Sequence, residues 1–137
     1  EHRRSYEPCK SISGFSREEV SKKNTTEIGS RGEAAVCRFL EGKGHRILER
    51  NFRTRFSEID IVSIFQDQIY FTEVKYRGRA DYGGGLAAIT KEKQRKMRRA
   101  AEGFLRIRAE YQKYDPLLAA AAVSGADFTV EDFIIIR

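Results

Sequence analysis

Long apolar runs are missing from this chain. None approaches the roughly 18 residues that would suggest a membrane-spanning helix, so a membrane is not an expected partner. Cysteine is scarce. Cys9 and Cys37 are the only two, they form no Cys-Xaa-Xaa-Cys pair, and no histidine stands near enough to complete a zinc site. Two reduced thiols in a cytoplasmic protein is the expectation. The opening residues lack the apolar stretch of a secretory signal. Internal repeats and low-complexity tracts are absent too, which excludes solenoids and repeat arrays.

What is present is charge on a foldable background. Hydrophobic residues make up 40% of the 137, enough for a real core, and the length suits one domain. Charged residues reach 34%, above the usual value of about 25%. The 26 Lys and Arg outnumber the 20 Asp and Glu, for a net charge of +6. A basic excess favours a polyanionic partner, nucleic acid first, against the plainer reading of a merely soluble basic surface.

Residues 1–27 are polar with little periodicity and read as an extension, leaving 28–137 as a single domain. Ser30 is placed to cap a first helix, with Glu33 at the capping-box spacing. Ala35, Val36, Phe39 and Leu40 give that helix one buried face, and Gly42 and Gly44 end it. Residues 45–55 suggest a first strand. Residues 57–65 and 68–76, rich in Ile, Val, Phe and Tyr, read as a hairpin. A glycine-containing loop, 78–85, leads to a long helix from Leu86 to about Lys113, with Ile89, Met97, Ala100, Ala101, Phe104 and Tyr111 as its apolar stripe. Pro116 stops what precedes it. The run Leu117–Val123 is ambiguous between helix and strand, and the chain closes in one or two strands. The fold expected is α/β, a mixed central sheet flanked by helices.

The hairpin carries the chemistry. A turn centred between Gln66 and Asp67 sets Asp60 opposite Glu73 and Glu58 opposite Lys75. Alternation then gathers all four on one side of the sheet. Opposed Cβ atoms lie roughly 4.5–5.5 Å apart, so two carboxylates there repel unless a cation sits between them. A hard divalent ion such as Mg²⁺ is one solution and a nearby lysine is another; both are within reach here. The plainer alternative is a surface ladder of paired charges.

Several motifs occur in order: Arg31-Gly-Glu33-Ala-Ala, Arg50-Asn-Phe-Arg53, Glu58-Ile-Asp60, Glu73-Val-Lys75-Tyr-Arg, and Lys93-Gln94. On these the chain resembles the YraN-like family of uncharacterised bacterial proteins, over residues 29 to about 130. That family is similar in pattern to the restriction-endonuclease-like superfamily, which includes archaeal Holliday-junction resolvases. The resemblance implies a restriction-endonuclease-like sheet and a metal-dependent nuclease site. In it Asp60 and Glu73 would ligate Mg²⁺ or Mn²⁺, with Glu33 directly or through water; Lys75 would position the attacking water and offset negative charge in the transition state, and Gln94 would join from the following helix. Junction-cleaving relatives work as symmetric dimers, so a homodimer is implied as well. The chain departs from the family in having Ser57 where a glycine is usual and in a hairpin turn without glycine.

Accessory residues keep two readings. Glu33 serves as a capping acid, a ligand, or both. Gln94 is a site residue or a solvated one. Asp127 reads as a turn residue and His45 as structural. The segment Lys91–Arg99 holds six basic residues (Lys91, Lys93, Arg95, Lys96, Arg98 and Arg99) against one Glu, and reads as a phosphate-contacting face rather than a merely solvated one. The function expected is a Mg²⁺-dependent nuclease acting on structured DNA. The alternative is a non-catalytic nucleic-acid-binding module in DNA repair or uptake.

Overall fold

The structure, a computed structural model, describes residues 24–55, 57–77 and 89–136. Its elements are α1 (Asn24–Gly42), β1 (Arg46–Arg53), β2 (Glu58–Phe65), β3 (Gln68–Arg77), α2 (Lys91–Ile107), a short 3-10 turn (Ala109–Tyr111), β4 (Asp115–Ser124) and β5 (Thr129–Ile136). The five strands form one sheet in the order β1-β2-β3-β4-β5. β3 and β4 are parallel and the other neighbours antiparallel, so the sheet is mixed. A parallel pair needs a long crossover, and α2 supplies it.

The two helices cover opposite faces. Val36, Cys37 and Leu40 of α1 pack with Ile47, Ile61, Ala121 and Val123. Met97, Ala100, Ala101 and Phe104 of α2 pack with Val62, Ile69, Phe71 and Leu118. Neighbours such as Ile61 and Val62 join different clusters because alternate side chains leave a strand on opposite faces. Phe104 anchors the α2 side, with edge-on contacts to Phe52 and Phe71 at centroid distances of 5.1 and 5.8 Å. Full burial of such a ring contributes about 2–3 kcal/mol.

The ambiguous run Leu117–Val123 is strand. β4 lies between two strands and under helices on both faces, so it is apolar throughout rather than alternating. The chain's last segment is one strand, β5, entered through Gly125 and Phe128, both with positive φ.

Both helix boundaries differ from the sequence expectation. α1 begins at Asn24, inside the supposed extension, and Ser30 lies in its interior rather than at its cap. Glu33 is therefore not a capping-box acid. Gly29 suggested a boundary, yet a single glycine costs a helix only about 1 kcal/mol, and the packed face of α1 outweighs that. α2 is shorter than expected at both ends. It begins after Thr90, whose Oγ1 accepts the Lys93 N–H at 3.0 Å, and ends at Arg108. Tyr111 lies beyond it but still stacks on Phe104. The chain must turn there to bring the Asp115 N–H to the Asp67 carbonyl at 2.9 Å, which starts β4. The expected start at Leu86, the glycine loop and Cys9 lie outside the described residues.

His45 is structural. Its Nδ1 lies 2.9 Å from Ser63 Oγ, and its ring stacks on Phe65 at 4.9 Å. Burial pushes its pKa down to about 4, because the charged imidazolium is poorly solvated there. An unfolded histidine binds its proton near pH 6.5, so the stability from a neutral His45 is complete above that pH and is lost as pH falls towards 4. Wild-type protein should lose on the order of 1 kcal/mol relative to His45→Gln between pH 7.5 and 5, the ring being only partly enclosed. Urea midpoints at the two pH values measure this, and parallel curves would refute it.

Candidate active site

The β2–β3 register is the one the sequence implied over five consecutive pairs, from Phe65↔Gln68 to Ile61↔Thr72. Pairing then stops. Asp60 and Glu73 come next but form no ladder pair, because β2 parts from β3 there. Asp60 bridges the parting with its side chain: Oδ2 accepts the backbone N–H of Val74 at 2.8 Å. On its other side β2 pairs with β1 through Ile61 and Ile59, again not through Asp60. Ile59 packs under α2 and Ile61 under α1, although strict alternation would put both on one face. The backbone is thus distorted at Asp60, and the distortion aims its carboxylate across the end of the sheet towards β3.

Glu73 lies on the α2 face of β3, in alternation with Ile69 and Phe71, and is buried at 8% exposure. Lys93 of α2 reaches it, Nζ to Oε1, at 3.4 Å. Lys75 follows on the same face of β3, half-buried, and its side chain makes no ion pair or hydrogen bond among the described residues. The strand beyond presents Ala120 opposite Glu73 and Ala122 opposite Lys75.

Glu33 enters from α1. Gly32 beside it faces Val74 of β3, and a Cβ there would meet it at 3.8 Å, an ordinary contact. Arg50 of β1 holds Glu33 Oε1 at 3.4 Å and also donates to the Ser30 carbonyl at 3.2 Å. Burial raises the pKa of Glu33, while the Arg50 charge and hydrogen bonds from Arg50 and Asn51 oppose that rise. Asn51 adopts φ 56°, a left-handed conformation that asparagine tolerates better than most residues.

The electrostatic centre is Asp60. Burial, then the negative charge of Glu73, push its pKa up to about 8; Glu33 and Glu58 add to the rise, and the Val74 N–H opposes it. Four carboxylates therefore share one field. Two of the inner three have a cation: Lys93 at Glu73 and Arg50 at Glu33. Among the described residues none pairs with Asp60.

This donor set suits a hard divalent cation. Mg²⁺ is commonly bound through one or two carboxylates, keeping waters and adding substrate phosphate oxygens. Among the described residues, no three His, Cys, Asp or Glu side chains form a ready-made metal cage. Asp60 and Glu73, with Glu33 directly or through water, are the residues that could hold such an ion.

Gln94 has its amide engaged locally: Nε2 donates to the Ile89 carbonyl at 3.3 Å, just before its own helix. The basic residues of α2 divide. Lys91, Arg95, Lys96, Arg98 and Arg99 are exposed, whereas half-buried Lys93 belongs to the carboxylate cluster. Arg95 pairs with Glu92 at 2.7 Å. Lys96 and Arg98 flank buried Met97 and point to opposite edges of the helix. Arg50, Asn51 and the Lys93–Glu73 pair were missed as site members. The signal for the first two was the Arg50-Asn-Phe-Arg53 motif; for Lys93 it was its place one turn into a helix that follows the Glu-Xaa-Lys strand.

Ser57, at the unusual non-glycine position, donates its N–H to Thr54 Oγ1 at 3.1 Å and closes the β1–β2 turn. Gln66, in the hairpin turn without glycine, takes up φ 58°. Both departures leave the five-pair register intact.

Fold and cluster together define an α/β domain with a buried acidic centre where β2 begins and β3 ends. The chain belongs to the uncharacterised protein family UPF0102, which residues 32–124 match. A UPF0102 protein of Acetivibrio thermocellus is 37% identical over 121 residues, covering 85% of this chain and 93% of the relative. One from Chlorobium phaeobacteroides is 44% identical over 105 residues, 75% of this chain and 81% of the relative. One from Alcanivorax borkumensis is 44% identical over 85 residues, 62% of this chain. That last match spans 66% of the relative's length. No helix among the described residues is long and apolar enough to cross a membrane.

Proposed function

We propose that this protein is a Mg²⁺-dependent nuclease of restriction-endonuclease-like type, acting on structured DNA. The observation that carries the reading is the convergence on Asp60: a largely enclosed carboxylate with no cation of its own among the described residues, beside buried Glu73, with Lys75 two residues further along the same strand. A fold does not gather buried carboxylates for stability, since mutual repulsion and desolvation both oppose it. Asp60 and Glu73 would hold the metal, with Glu33 as third ligand. A bound divalent ion supplies Lewis acidity and a water of lowered pKa.

The chain's own groups do the rest. The Val74 N–H fixes the orientation of Asp60. Arg50 and Asn51 fix Glu33. Lys75 presents an ammonium, not committed to another described side chain, to the charge that grows on phosphate in the transition state. The exposed cations of α2 position the polyanion by its backbone.

A second reading has an observation behind it. Glu73 and Glu33 each already hold a protein cation, as they would in a non-catalytic nucleic-acid-binding module that keeps the fold. Cleavage assays decide between them, using four-way junctions, flaps, single strands and RNA hairpins with Mg²⁺, Mn²⁺ or chelator. Binding without cutting under any metal would favour the module.

Binding itself has a separate test. Lys96→Ala, Arg98→Ala and Arg99→Ala together should weaken DNA binding and lower its salt slope. Each lost phosphate contact removes about 0.9 from the slope. Because Lys96 and Arg98 point to opposite edges, a loss of about two units rather than three is expected from titrations between 50 and 200 mM salt. An unchanged slope would make this face merely solvated.

A further inference from the structure

The Lys93–Glu73 pair is unlike the surface ion pairs around it. Glu73 is enclosed, its side chain 11% exposed, while Lys93 is 34% exposed. The separation of 3.4 Å exceeds the roughly 2.7–2.9 Å of a strong charge-assisted hydrogen bond. The backbone of Lys93 is anchored, because its N–H is bonded to the Thr90 cap. The side chain is the part free to move, and it can withdraw into solvent whereas Glu73 cannot. Arg50, the cation at Glu33, is held differently: it is only 18% exposed and bonds a helix carbonyl as well as the carboxylate.

We propose that Lys93 is a resident counter-ion that stands in for the divalent cation at Glu73 and is exchanged for it when metal binds. The exchange frees the Lys93 ammonium, on the same helix as the exposed cations, for a phosphate of the nucleic acid. Metal loading and polyanion binding are thereby coupled through one side chain. This rests on the reading of Asp60 and Glu73 as a metal site.

The physical basis is competition. Two cations cannot share one buried carboxylate without repelling each other, so the metal must displace Lys93 or bind beside an uncompensated positive charge. A half-exposed pair contributes up to about 1 kcal/mol, and losing that competitor should strengthen metal binding roughly fivefold.

The test is Mn²⁺ binding without nucleic acid, followed by calorimetry and by the electron paramagnetic resonance of free Mn²⁺. Wild type, Lys93→Met, Lys93→Arg and Asp60→Asn are compared, with circular dichroism checking that each folds. Lys93→Met should bind Mn²⁺ about fivefold more tightly than wild type, Lys93→Arg should bind like wild type, and Asp60→Asn should bind weakly or not at all. Binding by Lys93→Met where wild type shows none would support the proposal equally. If wild type binds, Asp60→Asn does not, and Lys93→Met is unchanged or weaker, the exchange is overturned while the metal site stands. If neither wild type nor Lys93→Met binds, the metal reading fails and the exchange fails with it.

Discussion

Asp60→Asn should make the metal-free protein more stable than wild type above pH 8. Asp60 in the folded chain has its pKa pushed from 3.8 to about 8 by burial and by Glu73. Between those values the folded state holds a proton that the unfolded state has released. Stability that is complete below about pH 4 is therefore lost as pH rises through 8. Each unit of difference corresponds to about 1.4 kcal/mol, so the ionised group costs the metal-free fold on the order of 3–5 kcal/mol. Asparagine removes the charge and keeps an oxygen for the Val74 N–H, so the local geometry survives. The variant should gain most of that energy at pH 9 and roughly a third of it at pH 5, where the unfolded carboxylate is already ionised. Divalent metal should stabilise wild type at pH 9 and leave the variant unchanged. Urea denaturation at both pH values, with chelator or Mn²⁺, gives all four numbers. A variant no more stable than wild type at pH 9 would refute the account. His45 acts in the opposite direction, losing stability as pH falls, so the wild-type curve alone would hide both effects.

Such a pattern is that of a site maintained at the expense of stability, and it explains which parts of the molecule could be read from sequence. The hairpin was legible because Ile, Val, Phe and Tyr are dense on both sides of a short turn, and the turn's position alone sets the register. Asp60 and Glu73 were legible as neighbours for the same reason. The way they meet was not. The ladder ends at Ile61↔Thr72, and the Asp60 side chain takes over as hydrogen-bond acceptor. Period-two alternation has no means of announcing such a break. The start of α1 was hidden because Asn24–Glu27 carry no apolar period, and Gly29 and Ser30 imitate a boundary. The ends of α2 were hidden because Tyr111 sits at helical spacing from Phe104 but reaches the core from a 3-10 turn. Gln94 followed the family pattern in sequence, yet its amide is engaged at Ile89. Lys93 looked like one more cation on a basic face; only packing revealed that it points inward to Glu73.

Lys75→Ala should separate holding the metal from using it. Lys75 shares a face of β3 with Glu73 and stands beside Ala122, with no ion pair among the described residues. Its removal breaks no salt bridge described there, and the fold should keep its stability to within about 0.5 kcal/mol. Divalent affinity should stay level or rise, because a positive charge has left the neighbourhood of the carboxylates. Turnover is another matter. An ammonium that acts on charge present only in the transition state contributes nothing to ground-state binding, so its loss appears in kcat and not in KM. Loss of one such electrostatic group commonly lowers the rate by about 100- to 1000-fold. Asp60→Asn should instead weaken the metal, with excess Mg²⁺ restoring part of its activity. Lys93→Met differs again, tightening the metal while reducing the salt slope of DNA binding. Cleavage kinetics of the best substrate across a Mg²⁺ titration distinguish the three variants. A Lys75→Ala protein that cuts at the wild-type rate would leave the nuclease reading in place and remove Lys75 from its mechanism.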